Sequence, residues 1–313
     1  LPWQAGDRLA ISGTEHTSTR TLAQRLAKTV GDEPTVIPVG DGPNYSPERF
    51  LRQLERTLTP DHRLLILSHV SCIDGRRLPV VQATRLAQCR GVKVLVDGAQ
   101  SVGQIPVDVG AMDPEFFAGS IHKWLLGPAG VGYLVVARRQ LPEFNPGLPP
   151  HAGPFALDND ERPLTASRQT EVGTQSMSLR LGTGHAVGVL ESIGLEQIER
   201  HARELTAQLR DGLRQLCGLD HRQPGEKSRQ APVVLTPDSW ELSSGITSLE
   251  LPNYSAQQVH DLIERIWRDF GVVVKFQSEF AGIRISIAGF NSKEEVSQLL
   301  LALNELVPQI GEG

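Results

Sequence analysis

Short, continuously apolar runs alternate with longer helix-patterned stretches through the first half of this chain, and that rhythm limits its fold more than any other feature. Leu64–Leu67, Val92–Val96 and Gly132–Val136 are too short for helices. They lack the polar alternation of strands with one wet face, so they read as strands buried on both faces of a parallel sheet. A further strand-like run, Arg8-Leu9-Ala10-Ile11, stands near the start. Ser46-Pro47 has the layout of a helix N-cap followed by a first-turn proline, and Phe50, Leu51, Leu54 and Leu58 then fall on one helical face. The expected fold is α/β, a large domain with a mainly parallel sheet.

Beyond that domain the pattern changes. Pro142 to Thr170 is rich in Pro, Gly, Asn and Asp and reads as a long irregular surface loop, a class of segment that often carries function. Ser178 to Leu216 has helical composition with few breakers. Strand-like Ile246–Leu251, Val272–Phe276 and Ile283–Ile287 then surround a helical stretch, Ser255–Phe270, giving a smaller α+β unit. Ser292 and Glu295 form a capping box, and Val296, Leu299, Leu300, Leu303 and Leu306 make the apolar stripe of a closing helix. The division expected is a large domain over 1–170, connecting helices over 171–216 and a small C-terminal domain over 217–313.

Charge narrows the partners. With 31 Lys+Arg against 36 Asp+Glu the chain carries a net −5, which gives no basic field for nucleic acid or anionic lipid. Small molecules are the expected partners. Cys72, Cys89 and Cys217 are odd in number and widely spaced, so they offer no disulfide framework and no metal pair. They read as small buried hydrophobes sooner than as nucleophiles, and fit a reducing, cytoplasmic setting. No apolar stretch reaches the roughly 20 residues that a membrane-spanning helix needs.

Ligand sites in open α/β sheets lie beyond the carboxyl ends of the strands. Three such ends are polar here: Ser68-His69 after Leu65–Leu67, Asp97-Gly98-Ala99-Gln100 after Val94–Val96, and Gly119-Ser120-Ile121-His122-Lys123-Trp124 after Phe116–Ala118. Alone, an aspartate in such a place is usually a turn former and a lysine a solvated charge. Lys123, however, stands between His122 and Trp124 and before Leu125-Leu126-Gly127-Pro128, and apolar surroundings lower a lysine pKa and make the amine a nucleophile for carbonyl groups.

The pair D-G-A-Q and S-x-H-K-W-x-x-G-P-x-G-x-G resembles the class V aminotransferase family of fold-type I pyridoxal-phosphate enzymes. That family includes cysteine desulfurases, cystine and cysteine C–S lyases and an epimerase branch. The resemblance implies pyridoxal 5′-phosphate as cofactor, carried by Lys123, with Asp97 at its ring nitrogen. It implies that Gln100 touches the phenolic oxygen, that Ser120 and His122 bind the phosphate, and that the imidazole of His16, in Thr14-Glu15-His16-Thr17-Ser18, stacks on the ring. Glu171-Val172-Gly173-Thr174 resembles a segment whose threonine, Thr174, reaches the phosphate of a neighbouring subunit, which implies a homodimer with shared sites. Arg284 matches the arginine that grips the substrate carboxylate, and no metal is implied.

Three departures accompany the match. Cys72 stands where the family motif S-H-V-S-N has Asn, and Gln169 where R-F-E-x-G-T has Arg. The Gly/Thr-rich phosphate loop that relatives carry upstream of Gly6-Asp7 is not in this sequence, and the first residue is Leu, so the natural start is expected further upstream. The replaced Asn at Cys72 and the lack of the desulfurase cysteine in Phe276–Gly282 make C–S lyase chemistry, β-elimination from cysteine or cystine, the nearest branch. Transamination, epimerisation, desulfurase-like activity and a non-catalytic dimeric scaffold stay open.

Overall fold

The computed structural model describes residues 1, 3–40, 42–144, 175–216 and 231–311. Two sheets organise it. The larger has six strands in the order β2-β1-β3-β4-β5-β6, formed by β1 (Arg8–Ser12), β2 (Thr35–Ile37), β3 (His62–Ser68), β4 (Lys93–Asp97), β5 (Phe116–Ser120) and β6 (Gly132–Val136). All pairings are parallel except that of β6 with β5. The expected mainly parallel α/β sheet is therefore present, with one antiparallel edge strand.

Alternation along the strands sends side chains to two cores. Ala10, Leu65, Leu67, Val94, Val96 and Phe117 pack with Phe50 and Leu54 of α2 (Pro47–Thr57) and Ala83 and Ala87 of α3 (Val80–Gln88). Leu9, Ile11, Leu64 and Ile66 pack on the other face with Ala23 and Leu26 of α1 (Thr17–Thr29). Fully burying such a side chain contributes roughly 1.5–3 kcal/mol. Ser46 caps α2 as its sequence promised, its side chain accepting from the Arg49 amide at 3.2 Å. A single helical turn, α4 (Val109–Met112), leads into β5.

The expected helical stretch before the small domain is two helices, α5 (Met177–Ile193) and α6 (Leu195–Leu216). They part at Gly194, whose φ of 92° is open to glycine and hostile to other residues. The second sheet is antiparallel, in the order β7-β8-β10-β9, from β7 (Val233–Val234), β8 (Ile246–Glu250), β9 (Lys275–Gln277) and β10 (Gly282–Ser286). The helices α7 (Ala256–Phe270) and α8 (Lys293–Gly311) pack with α6 around Leu209, Leu213, Leu249, Leu262, Ile283 and Leu303. The capping box of α8 forms: Glu295 N–H donates to Ser292 Oγ at 3.2 Å, and Ser292 N–H to Glu295 Oε2 at 2.9 Å.

One strand is displaced from its expected place. Val272–Phe276 was the apolar run, yet β9 is Lys275–Gln277, because β10 pairs with it only through Gly282 to Arg284 and so reaches no residue before Lys275. The loop read over Pro142–Thr170 lies almost wholly outside the described residues.

The small domain is fastened to the loop that follows β3. Ser248 Oγ donates to Ile73 O at 2.6 Å, Ser244 Oγ to Gly75 O at 2.9 Å, and Arg284 Nη1 to Cys72 O at 2.8 Å. Gly75 is required at this seam: its φ is +72°, and a Cβ there would meet Ile246 O at 2.3 Å. Arg20 of α1 and Glu279, in the turn between β9 and β10, close a further ion pair at 2.9 Å. These contacts bring β9 and β10 against the carboxyl ends of the large sheet.

Candidate active site

Asp97 is the last residue of β4, and its Oδ1 accepts the Ala99 amide at 2.9 Å, which bends the chain away from the strand. Tyr133 supports that turn by donating its hydroxyl to Gly98 O at 3.2 Å. Lys123 follows β5 in a turn closed by Gly127 N–H to Ile121 O at 3.1 Å and Leu126 N–H to Lys123 O at 3.1 Å. Leu126 holds a φ of 55°, a left-handed conformation that costs a non-glycine residue on the order of 1–3 kcal/mol and persists only where the surroundings fix it. Trp124 supplies part of that fixing, donating its indole N–H to Gln100 Oε1 at 2.8 Å. The backbone on both sides of Lys123 is thereby set.

One cavity of about 680 Å³ is lined by His16, Asp97, Ala99, Ser120, His122 and Lys123 at its polar end. Leu22, Leu26, Leu64, Ile66 and Leu95 line the remainder. Five residues named from the sequence thus meet on one wall. Burial lowers the Lys123 pKa, and the nearby Asp97 carboxylate only partly opposes it. His16 is the N-cap of α1, and its Nδ1 accepts the Ser18 amide at 3.1 Å. Its pKa is also lowered, first by desolvation, then by the charges of Lys123 and Lys275. At neutral pH the ring is therefore uncharged with its proton on Nε2, the tautomer that the accepting Nδ1 requires.

Gln100 and Arg284 do not line this cavity. Gln100 is buried, with its carbonyl oxygen committed to Trp124; its amide N–H₂ is the group it can offer a ligand. Arg284 lies on β10, with Nη1 on Cys72 O and a buried Nε that has no partner among the described residues. Its charge acts on His16 and, with Lys123, on Cys72, so it serves the site from the small-domain side. Thr174 lies outside the described residues.

Other residues at the site were not given roles from the sequence. Cys72, read as a small buried hydrophobe in place of the motif's Asn, stands within the field of both Lys123 and Arg284; it is buried, and burial pushes its thiol pKa up. Its place in the S-H-V-S-N motif was the available signal. Glu15 is fully buried between β1 and β3. His69, whose amide donates to Asp97 O at 2.9 Å, is kept uncharged above about pH 4 by burial, and its Nδ1 has no partner among the described residues. Among the described residues no group of three His, Cys, Asp or Glu is placed to hold a metal, and no helix is long and apolar enough to cross a membrane.

Comparison with known proteins agrees with this geometry. The family described as Aminotransferase class-V matches residues 1–299. The chain is 29% identical to isopenicillin N epimerase from Streptomyces clavuligerus over 98% of its own length and 75% of that protein's. It is 28% identical to cysteine desulfurase from Escherichia coli O6:K15:H31 over 98% of its length and 73% of that protein's. The solved apo structure of a cysteine desulfurase from Thermococcus onnurineus NA1 superposes with a TM-score of 0.80 at 25% identity, over 98% of this chain and 74% of that one. The chain belongs to the class V aminotransferase family and is a pyridoxal-phosphate-dependent enzyme.

Proposed function

We propose that the cavity binds pyridoxal 5′-phosphate through Lys123, and that the enzyme removes the Cα proton of an amino acid and cleaves its Cβ–S bond. The observation that carries the reading is that Asp97 and Lys123 reach one cavity from adjacent strand ends, with the lysine pKa lowered by burial. The donor set suits the cofactor: a carboxylate for a ring nitrogen, an amine for an aldehyde, and the Ser120 hydroxyl and His122 imidazole for a phosphate. The cavity is large enough for a ring of that size.

When bound, the cofactor supplies an electron sink for the pair left on Cα. Asp97 would hold a proton on the ring nitrogen, and uncharged His16 would offer a flat face to the ring. Arg284, whose Nε has no partner among the described residues, fixes the substrate carboxylate through the fork geometry of its guanidinium. Lys123 would hold the cofactor through its amine and, with that amine free and neutral, would take the Cα proton. The electron pair of the Cβ–S bond leaves with sulfur, and water converts the three-carbon remainder to pyruvate and ammonia.

A desulfurase-type transfer needs a thiol that reaches substrate sulfur. Phe276–Gly282, which meets α1 through Glu279, contains none. Cys72 is buried with its thiol pKa raised, and Cys89 is exposed just beyond α3. The likeness to isopenicillin N epimerase supports a second reading, in which the proton returns to the opposite face of Cα. A two-fold dimer with Thr174 at the partner's phosphate site, and a cytoplasmic location, belong to the proposal.

The test is to incubate the cofactor-loaded protein with L-cystine or L-cysteine in deuterated water. Pyruvate and ammonia support elimination. Alanine points to sulfur transfer, and the D-enantiomer labelled at Cα points to epimerisation.

A further inference from the structure

Glu15 is a carboxyl group with no exposed surface and, among the described residues, no cation paired with it. Its Oε1 accepts the Ser68 amide at 2.6 Å and a bond from Ser12 Oγ, and its Oε2 lies 2.9 Å from Ser68 Oγ. Ser12 ends β1 and Ser68 ends β3, so this one side chain joins the carboxyl ends of two neighbouring strands. Ser68 is in register with Asp97 across the β3–β4 pair, which puts both side chains on one face. In the other direction Glu15 is bonded directly to His16, the N-cap of α1. The carboxyl group thus ties the end of β3, where Ser68 is paired with Asp97, to the residue that precedes His16.

We propose that Glu15 is a positioning residue whose carboxyl group fixes His16 against Asp97 and whose ionisation strengthens Asp97's hold on the ring-nitrogen proton. This rests on the cofactor reading given above. A carboxyl buried without a cation resists ionisation. For Glu15 that burial outweighs the bonds from Ser12 and Ser68 and, with a smaller push from Asp97, raises the pKa to about 7. The group therefore changes charge near neutral pH.

The other charged or titratable groups facing this position are limited. Asp97 approaches from β4, Cys72 from the loop after β3, and Lys123 and Arg284 act on Cys72 from beyond it. His69 stays uncharged down to about pH 4. As pH rises through the Glu15 transition, a second negative charge appears behind Asp97. That charge favours the protonated ring nitrogen, the form that accepts electrons from Cα.

The test uses protein loaded with pyridoxal phosphate carrying ¹⁵N in its ring, and follows the ring-nitrogen chemical shift between pH 5.5 and 9. The wild-type protein should show a change with a midpoint near 7. Glu15→Gln keeps the shape and hydrogen-bonding capacity but cannot ionise; it should lack that change and should release the ring proton about one pH unit lower. Ser68→Ala retains the carboxyl but removes one of its bonds, and should move the midpoint upward even if Glu15→Gln folds poorly. A Glu15→Gln protein with the wild-type titration, or an unmoved midpoint in Ser68→Ala, overturns the proposal. Absence of any ring signal from wild-type protein removes the cofactor reading and this one with it, an outcome distinct from an unchanged titration.

Discussion

Asp97 and Lys123 stand at the ends of adjacent strands and bear on the same proton from opposite directions: burial drives it off the lysine amine, and the Asp97 carboxylate draws it back. Burial dominates. The outcome is an amine that becomes neutral at lower pH than a surface lysine, beside an acid that a cationic ring nitrogen would satisfy. Neither strand end would be unusual alone; the parallel β4–β5 register, which pairs Asp97 with Ala118, brings both residues to one edge of the sheet and one cavity.

Asp97→Asn should leave the cavity intact and still admit the cofactor, since the amide keeps the size and the bond from the Ala99 amide. It cannot hold a proton on the ring nitrogen by charge. Exchange of the Cα proton with solvent deuterium, followed by NMR on a bound amino acid, should slow about 10²-fold or more. Equal exchange rates in mutant and wild type would remove Asp97 from the chemistry.

Arg284→Gln should weaken amino-acid binding without weakening cofactor binding. Loss of a charge-assisted, forked contact with a carboxylate is worth roughly 1.5–3 kcal/mol, or about 10- to 100-fold in affinity. Titrating the visible band of the loaded protein with L-serine reads the first effect, and titrating apoprotein with cofactor reads the second. The variant also loses the bond to Cys72 O, so a modest drop in thermal stability accompanies it.

Glu15 gives the cofactor-free protein a pH-dependent stability of definite sign. Its folded pKa of about 7 lies above its ordinary value of 4.5, so the folded state binds more protons than the unfolded state between those limits. Stability therefore falls as pH rises through that window, by an amount on the order of 3 kcal/mol at about 1.4 kcal/mol per unit. Glu15→Gln should flatten the dependence: urea unfolding at pH 8 should find it more stable than wild type, and the gain should vanish near pH 4.5. A wild-type protein that gains stability between pH 5 and 7 faster than the variant would contradict this assignment.

What the sequence made legible depended on how local each signal was. The Ser46-Pro47 start of α2 and the Ser292/Glu295 box of α8 are short-range hydrogen-bond patterns, and both form as read. Asp97, Ser120, His122 and Lys123 stood out because polar groups directly after apolar strands have few other uses. The bounds of β9 were not legible, since pairing with Gly282–Arg284, and not local hydrophobicity, selects Lys275–Gln277 over Val272–Phe276. Glu15 gave no local signal either: its burial depends on Ser68, 53 positions away. The approach of Cys72 to Arg284 was not legible either, because it is made between residues 212 positions apart.

The most direct test of the account is the bond to Lys123. Protein incubated with excess pyridoxal phosphate should develop a visible absorption band. Borohydride should bleach it, and peptide mass mapping should then find the reduced cofactor on Lys123. Lys123→Ala removes the amine, and Lys123→Arg replaces it with a guanidinium that cannot give up its proton, so neither variant should show the band, the adduct or Cα proton exchange. A wild-type protein with no band at saturating cofactor, or an adduct mapped to another lysine while Lys123→Ala still exchanges the Cα proton, would contradict it.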